Sequence, residues 1–179
     1  MASERELKFR VLDRPALIAR LIDVEAEQIA STQFEDNWVF DKDDELFEKK
    51  CLLRLRVDGH GSTLTYKGPA TFEGAVKVRS EHETGIADSE AARGILERLG
   101  YRVVTRYQKR REEWRLGGIT VALDDTPIGH YVEFEGEGAE RLARRCGFSD
   151  EGAEPKTYLE LYADYRQRNP EAPDEMVFP

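Results

Sequence analysis

The sequence predicts an α+β domain, a set of antiparallel strands with α-helices packed against one face. Two observations carry this. Seven short segments alternate apolar and charged residues with the two-residue period of a strand, and four stretches between or after them carry helical spacing with capping residues. The length of 179 residues and a 40% hydrophobic content suit one domain with its own core.

The elements follow in chain order. Glu4–Val11 sets Glu4, Glu6, Lys8 and Arg10 on one face and Leu7, Phe9 and Val11 on the other. A helix is expected from Arg14 to about Ala30, capped by Asp13, with Pro15 in its first turn and Leu17, Ile18, Leu21 and Ile22 in phase. Cys51–Val57 opposes Arg54 and Arg56 to Cys51, Leu53, Leu55 and Val57, and Ser62–Gly68 sets Lys67 with Thr63 and Thr65 against Leu64 and Tyr66. Val76–Glu83 carries Lys77, Arg79, Glu81 and Glu83 on one face. A second helix runs from about Ser89 to Leu99, between the cap Asp88 and Gly100. Lys109, Arg111, Glu113 and Arg115 share a strand face; Asp124 follows on Ile119–Asp124, and Glu133 and Glu135 oppose His130, Val132 and Phe134. Helices are expected over Ala139–Cys146 and Pro155–Arg168. The domain is expected to span 1–168, with 169–179, which holds three prolines, as a loose tail.

Each strand thus has an apolar face and a face rich in full charges. The charged faces meet bulk water if the sheet is open, the ordinary case, or line a wet interior if it closes. Charges of one sign recur at i and i+2, as in Arg54 and Arg56, Lys109 and Arg111, Glu4 and Glu6, Glu133 and Glu135. Such pairs repel at a small cost each. Their repetition points to a site where metal and phosphate supply the counter-charges.

A net charge of -9 argues against binding nucleic acid or an anionic membrane non-specifically, but a local basic cluster can still hold a small anion. The opening MASERELKFR has no apolar signal core and no run approaches a membrane span, so a cytoplasmic protein is expected, with no membrane or nucleic-acid partner. Cys51 and Cys146 match no metal spacing and read as reduced. The oligomeric state is not fixed by the sequence, with a homodimer among the options.

The ordered motifs resemble a known family. Glu4-Arg5-Glu6-Leu7-Lys8 is similar to the ExExK signature of the CYTH superfamily, the triphosphate tunnel metalloenzymes. Leu53-Arg54-Leu55-Arg56, Thr65-Tyr66-Lys67-Gly68-Pro69, Lys109-Arg110-Arg111, Val121 to Asp124 and Tyr131-Val132-Glu133-Phe134-Glu135 resemble its later strands, and the set covers about residues 4–160. Glu6-Leu7-Lys8-Phe9-Arg10, Tyr66-Lys67-Gly68-Pro69 and Glu154-Pro155-Lys156-Thr157-Tyr158 look closer to the class IV adenylate cyclases than to the small triphosphatases.

The resemblance implies a closed eight-stranded antiparallel β-barrel, a tunnel, with flanking helices. It implies a metal-dependent phosphoryl-transfer enzyme acting on a triphosphate such as ATP or inorganic triphosphate. The cyclase reaction, ATP to cyclic AMP and pyrophosphate, comes first, and an inorganic, thiamine or nucleoside triphosphatase is the alternative. A non-catalytic nucleotide or polyphosphate-binding module is a third reading. Arg offers a planar fork to phosphate oxygens and Lys a point charge, so Lys8, Arg54, Arg56, Lys67, Arg79, Lys109 and Arg111 are the substrate-binding candidates. Lys8, Lys109, Arg111 and Asp124 are the candidates for catalysis. Glu4, Glu6, Asp124, Glu133 and Glu135 are the candidate ligands for Mg²⁺ or Mn²⁺, with direct coordination expected of Glu6 and Glu133. Lys77 and Arg115 are expected to pair with neighbouring acids. Phe34, Trp38 and Tyr158 are the aromatic groups considered for a base, and none is assigned that role.

Overall fold

The computed structural model describes residues 2–179. In chain order the elements are β1 (Ala2–Val11), α1 (Arg14–Asp23), β2 (Glu27–Asp41), α2 (Glu45–Glu48), β3 (Leu52–Asp58), β4 (Gly61–Lys67), β5 (Thr71–Glu73), β6 (Val76–Ile86), α3 (Ser89–Arg98), β7 (Arg102–Leu116), β8 (Ile119–Thr126), β9 (Gly129–Glu135), α4 (Ala139–Arg145) and α5 (Tyr158–Arg168). The sheet runs β1-β9-β8-β7-β2-β3-β4-β6, and β6 pairs back to β1. Eight antiparallel strands therefore close into a barrel, with β5 a short addition beside β6. Closure gives each of the eight wall strands a partner on both sides over part of its length.

Alternation decides what the barrel holds. Leu7, Phe9 and Val11 face outward and pack with Leu17 and Leu21 of α1 and with Leu142, Ala143 and Cys146 of α4. Phe40 and Leu55 pack under Leu96 of α3. The apolar core thus lies between the barrel and its helices, and the charged strand faces are left to the interior. Asp13 caps α1 by accepting from the Ala16 amide at 2.9 Å, and Asp88 caps α3 in the same way through Ala91. Thr157 and Glu160 form a capping box at the start of α5.

The first helix is shorter than the sequence predicts. It stops at Asp23; Glu25 takes a left-handed φ of 64°, and the chain re-emerges as β2 at Glu27. Pairing along β7, from Glu27↔Arg115 to Asp41↔Arg102, overrides the local helical spacing.

The segment expected as a loose tail is docked. The Met176 carbonyl accepts from the Gln108 amide at 2.8 Å, Phe178 donates its amide to Gln108 Oε1, and Met176 is 1% exposed. Met176 joins Val39, Tyr107, Ile128, Tyr131, Tyr158 and Tyr162 in a cluster where α5 seals one end of the barrel. Met176→Ala should therefore lower unfolding free energy by about 2–4 kcal/mol in urea melts. A change below about 0.5 kcal/mol, the range of ordinary surface substitutions, would show that the tail only rests on β7.

Candidate active site

Eleven of the twelve candidate residues line one cavity of about 570 Å³ inside the barrel: Glu4, Glu6, Lys8, Arg54, Arg56, Lys67, Arg79, Lys109, Arg111, Glu133 and Glu135. Asp124, the twelfth, lies just beneath that lining at 2% exposure. The register places them. Lys8 is opposite Glu133 and Glu6 opposite Glu135 across β1 and β9, while Arg111 is opposite Asp124 across β7 and β8.

One wall is a satisfied ionic lattice. Arg111 donates to both Asp124 oxygens, at 2.7 and 2.6 Å, and also to Glu133. Lys109 Nζ and the Tyr158 hydroxyl donate to Asp124 Oδ2 at 3.0 and 2.7 Å. Lys8 Nζ lies 3.3 Å from Glu133 and donates to the Lys156 carbonyl. Its ammonium also sits 4.1 Å from the centre of the Tyr158 ring. Burial alone would raise the Glu133 carboxyl, but Lys8, Arg111 and Lys109 hold it well below the usual range. Burial, with Asp124 and Glu133 nearby, pushes the Tyr158 phenol well up, so it remains a donor. Asp124 is fully engaged in orienting Arg111 and Lys109.

The opposite situation holds at two guanidiniums. Arg54 is 8% exposed and, among the described residues, bonds only to neutral hydroxyls, Tyr107 at 3.1 Å and Thr65 at 3.3 Å; its nearest carboxylate there, Glu83, is 4.0 Å away. Its Nε has no hydrogen-bond partner among those residues. Arg79, also 8% exposed, donates Nε to the Gly68 carbonyl at 2.8 Å and makes no ion pair among the described residues. Removing a charge from water without a counter-ion is costly, so both positions call for an anion.

A third zone has the reverse imbalance. Lys77 pairs with Glu6 at 2.9 Å, as expected, and Lys67 pairs with Glu4 and Glu81. With Lys8 and Lys77 near, the Glu6 carboxyl is lowered despite burial and the charge of Glu133. Glu4 and Glu135 are not fully compensated. Burial and then Glu6 raise the Glu4 carboxyl, and Glu4 Oε2 is buried with no hydrogen-bond partner among the described residues. Glu135, at the solvent-reached mouth, is raised to about 7 by burial against the wall and then by Glu4. Like charges directly opposite, as Glu6 and Glu135 are, destabilise a sheet. A hard divalent cation fits this excess of oxygen donors. Among the described residues no three His, Cys, Asp or Glu side chains are arranged to hold a metal by themselves. Mg²⁺-type sites commonly use one or two carboxylates, with water and phosphate completing the shell.

Glu81 and Glu83 sit among the basic side chains: Glu81 lies 3.5 Å from Lys67, and Glu83 accepts from Thr65 beside Arg56. Arg115 lines the cavity but makes no ion pair among the described residues. Phe34 and Trp38 are committed elsewhere, Phe34 near Phe178 and Trp38 between Arg93 and Arg106. The sequence reading missed Glu35, which is 4% exposed among Arg56, Lys109 and Arg111, and Tyr107. The alternation of Gln33, Glu35 and Asn37 against Phe34, Trp38 and Phe40 was the available signal.

A CYTH domain description matches residues 2–151, most of the chain. The chain belongs to the CYTH family. A relative from Methanocaldococcus jannaschii, named "Putative adenylate cyclase", is 29% identical over 133 residues, covering 74% of this chain and 75% of the relative. A Vibrio parahaemolyticus structure described as a "putative adenylate cyclase" shares the CYTH barrel with a TM-score of 0.79 at 25% identity, covering 89% of this chain and 97% of that one. A Hippeastrum protein described as a "putative adenylyl cyclase" that "reveals a dominant" triphosphatase activity has a TM-score of 0.67, covering 90% and 96%. At 17% identity that likeness is one of fold. No helix of this CYTH chain, among the described residues, is long and apolar enough to cross a membrane.

Proposed function

We propose that the tunnel binds a linear triphosphate together with a divalent cation and catalyses substitution at one of its phosphorus atoms. The observation that carries this reading is the split imbalance of charge: buried guanidiniums at Arg54, whose nearest carboxylate is 4.0 Å away, and at Arg79, which makes no ion pair among the described residues, face a cavity whose other zone holds under-compensated Glu4 and Glu135. A polyanion with its metal completes both.

In this reading Arg54, Arg79, Lys67 and Lys8 grip phosphate oxygens. Lys109 and Arg111, aimed by Asp124 and Tyr158, stabilise charge as it builds on the reacting phosphoryl group. Such preorganised donors act without reorganising during the reaction. Glu4, Glu6 and Glu135 would hold the cation, which supplies charge neutralisation to the phosphates when bound. Glu133 and Asp124 serve instead as anchors of the cations. The seal formed by α5 limits water on that side.

The relatives' names favour the adenylate cyclase-like reaction, in which the ribose 3′-hydroxyl attacks the α-phosphorus and pyrophosphate leaves. The alternative is triphosphate hydrolysis by water: Tyr158 is committed to Lys8 and Lys109, 4.1 and 5.3 Å from its ring centre, and donates its hydroxyl to Asp124, which takes one candidate aromatic shelf from the cyclase reading. Incubation with ATP or tripolyphosphate and Mg²⁺ or Mn²⁺, followed by chromatography, separates the readings. Cyclic AMP with pyrophosphate supports the cyclase, and orthophosphate supports the hydrolase. Intact substrates under all conditions would remove both.

The cation assignment has a pH signature. Glu135 takes up its proton near pH 7 in the fold but near 4.5 as an ordinary carboxyl. The folded chain therefore binds the extra proton between those values, and stability falls as pH rises through that window. A divalent cation replaces the proton, so the rise in melting temperature on adding Mg²⁺ should be larger at pH 8 than at pH 6. Equal rises at both would contradict the role given to Glu135.

A further inference from the structure

Glu35 takes no part in the reaction described above, yet it stands at a decisive place in the tunnel. Its carboxylate lies 3.5 Å from Lys109 Nζ and 3.9 Å from both Arg56 and Arg111, and among the described residues no hydrogen bond reaches Oε2. Those cations outweigh burial and hold the carboxyl ionised, at about 2. Glu35 lines a second cavity of about 370 Å³ under the turn between β3 and β4. That cavity shares Arg56, Arg111 and Glu113 with the larger one, so the two meet there. The register shift of β2 between Ala30 and Gln33 lies along the same wall, and both residues line the second cavity.

A phosphate chain held by Arg54, Lys109 and Arg111 can lengthen past Arg56 and Arg111 into this second space. There it meets a fixed carboxylate, with Asp58 and Glu113 in the same lining. We propose that Glu35 is a specificity-determining residue that ends the phosphate track, accepting a triphosphate and rejecting a longer polyphosphate by like-charge repulsion. This rests on the triphosphate reading above. A basic groove without such a stop would bind the more highly charged ligand more tightly.

Calorimetric titration of tripolyphosphate and tetrapolyphosphate, without divalent ions, tests it. Wild type should bind tripolyphosphate more tightly than tetrapolyphosphate, despite the latter's greater charge. Glu35→Gln should raise the tetra-to-tri affinity ratio at least about tenfold. Glu35→Asp, which keeps the charge, should leave the ratio on the wild-type side, and Glu81→Gln, which removes one charge beside Lys67 in the larger cavity, should not reproduce the change. Tighter tetrapolyphosphate binding by wild type, an unchanged ratio in Glu35→Gln, or an equal rise in Glu81→Gln overturns the assignment while leaving triphosphate binding standing. If wild type binds neither polyphosphate, this inference and the proposed function fall together.

Discussion

Arg54→Ala is expected to weaken tripolyphosphate binding by about 3 kcal/mol, or roughly 100-fold, and to flatten its salt dependence. The reason is the poverty of its present partners: two hydroxyls and one carboxylate at 4.0 Å. A guanidinium already neutralised by protein would contribute little on ligand binding, because it would exchange one anion for another. The same argument predicts the ligand-free protein. Removing a buried, poorly paired charge should leave its melting temperature unchanged or higher, whereas removing a member of a satisfied buried pair costs about 3–5 kcal/mol. Calorimetry and a thermal melt of the same variant read both. A variant that binds normally would show that Arg54 is a wall residue; one that binds weakly only because it is unfolded would melt early.

Glu4→Gln should lower metal-dependent turnover by about a hundred- to a thousandfold, the scale of a lost electrostatic stabiliser at a reacting centre, while the metal-free fold gains stability. Glu4 and Glu6 share a face of β1, and Glu135 faces Glu6 across β9, so one neutral amide relieves repulsion in the absence of the cation. Glu133→Gln separates the roles of the carboxylates. That group is clamped by Lys8 and Arg111, and its loss should destabilise the fold as well as the activity. Activity assays with urea melts distinguish them. Full activity in Glu4→Gln would remove it from the cation site.

Much of this was legible from residue order, and the reasons are local. Side chains alternate along a regular strand, so Glu4, Glu6 and Lys8 share a face wherever β1 is unbroken, whatever the tertiary fold. The caps Asp13, Asp88 and Thr157 act within three residues and were equally readable in principle, although Thr157 was expected inside its helix. Whether the charged faces lay inside or outside was not local. Closure depends on β6 reaching β1, a pairing such as Glu6↔Lys77, and here resemblance supplied what periodicity left open.

The failures share that character. Nothing near Ala26 announces that β2 must run beside β7 as far as Asp41, because no glycine marks the left-handed turn at Glu25. Glu35 was lost with that strand. Met176 is a similar case: three prolines suggest a free end, but the unpaired edge of β7 at Gln108 offers an amide that the Met176 carbonyl satisfies. Charge compensation was also out of reach. The sequence sets Arg54 and Arg111 among the same kinds of neighbours, yet only the folded barrel puts Asp124 and Glu133 on Arg111 and leaves Arg54 with hydroxyls.

The most direct measurement is a thermal melt of wild-type protein with tripolyphosphate alone, Mg²⁺ alone and both together. Two complementary vacancies of charge in one cavity predict that the shift with both exceeds the sum of the separate shifts, since each ligand completes the other's site. No shift with the pair, or a shift no larger than the sum of the two alone, would contradict a tunnel built for a metal-bound triphosphate.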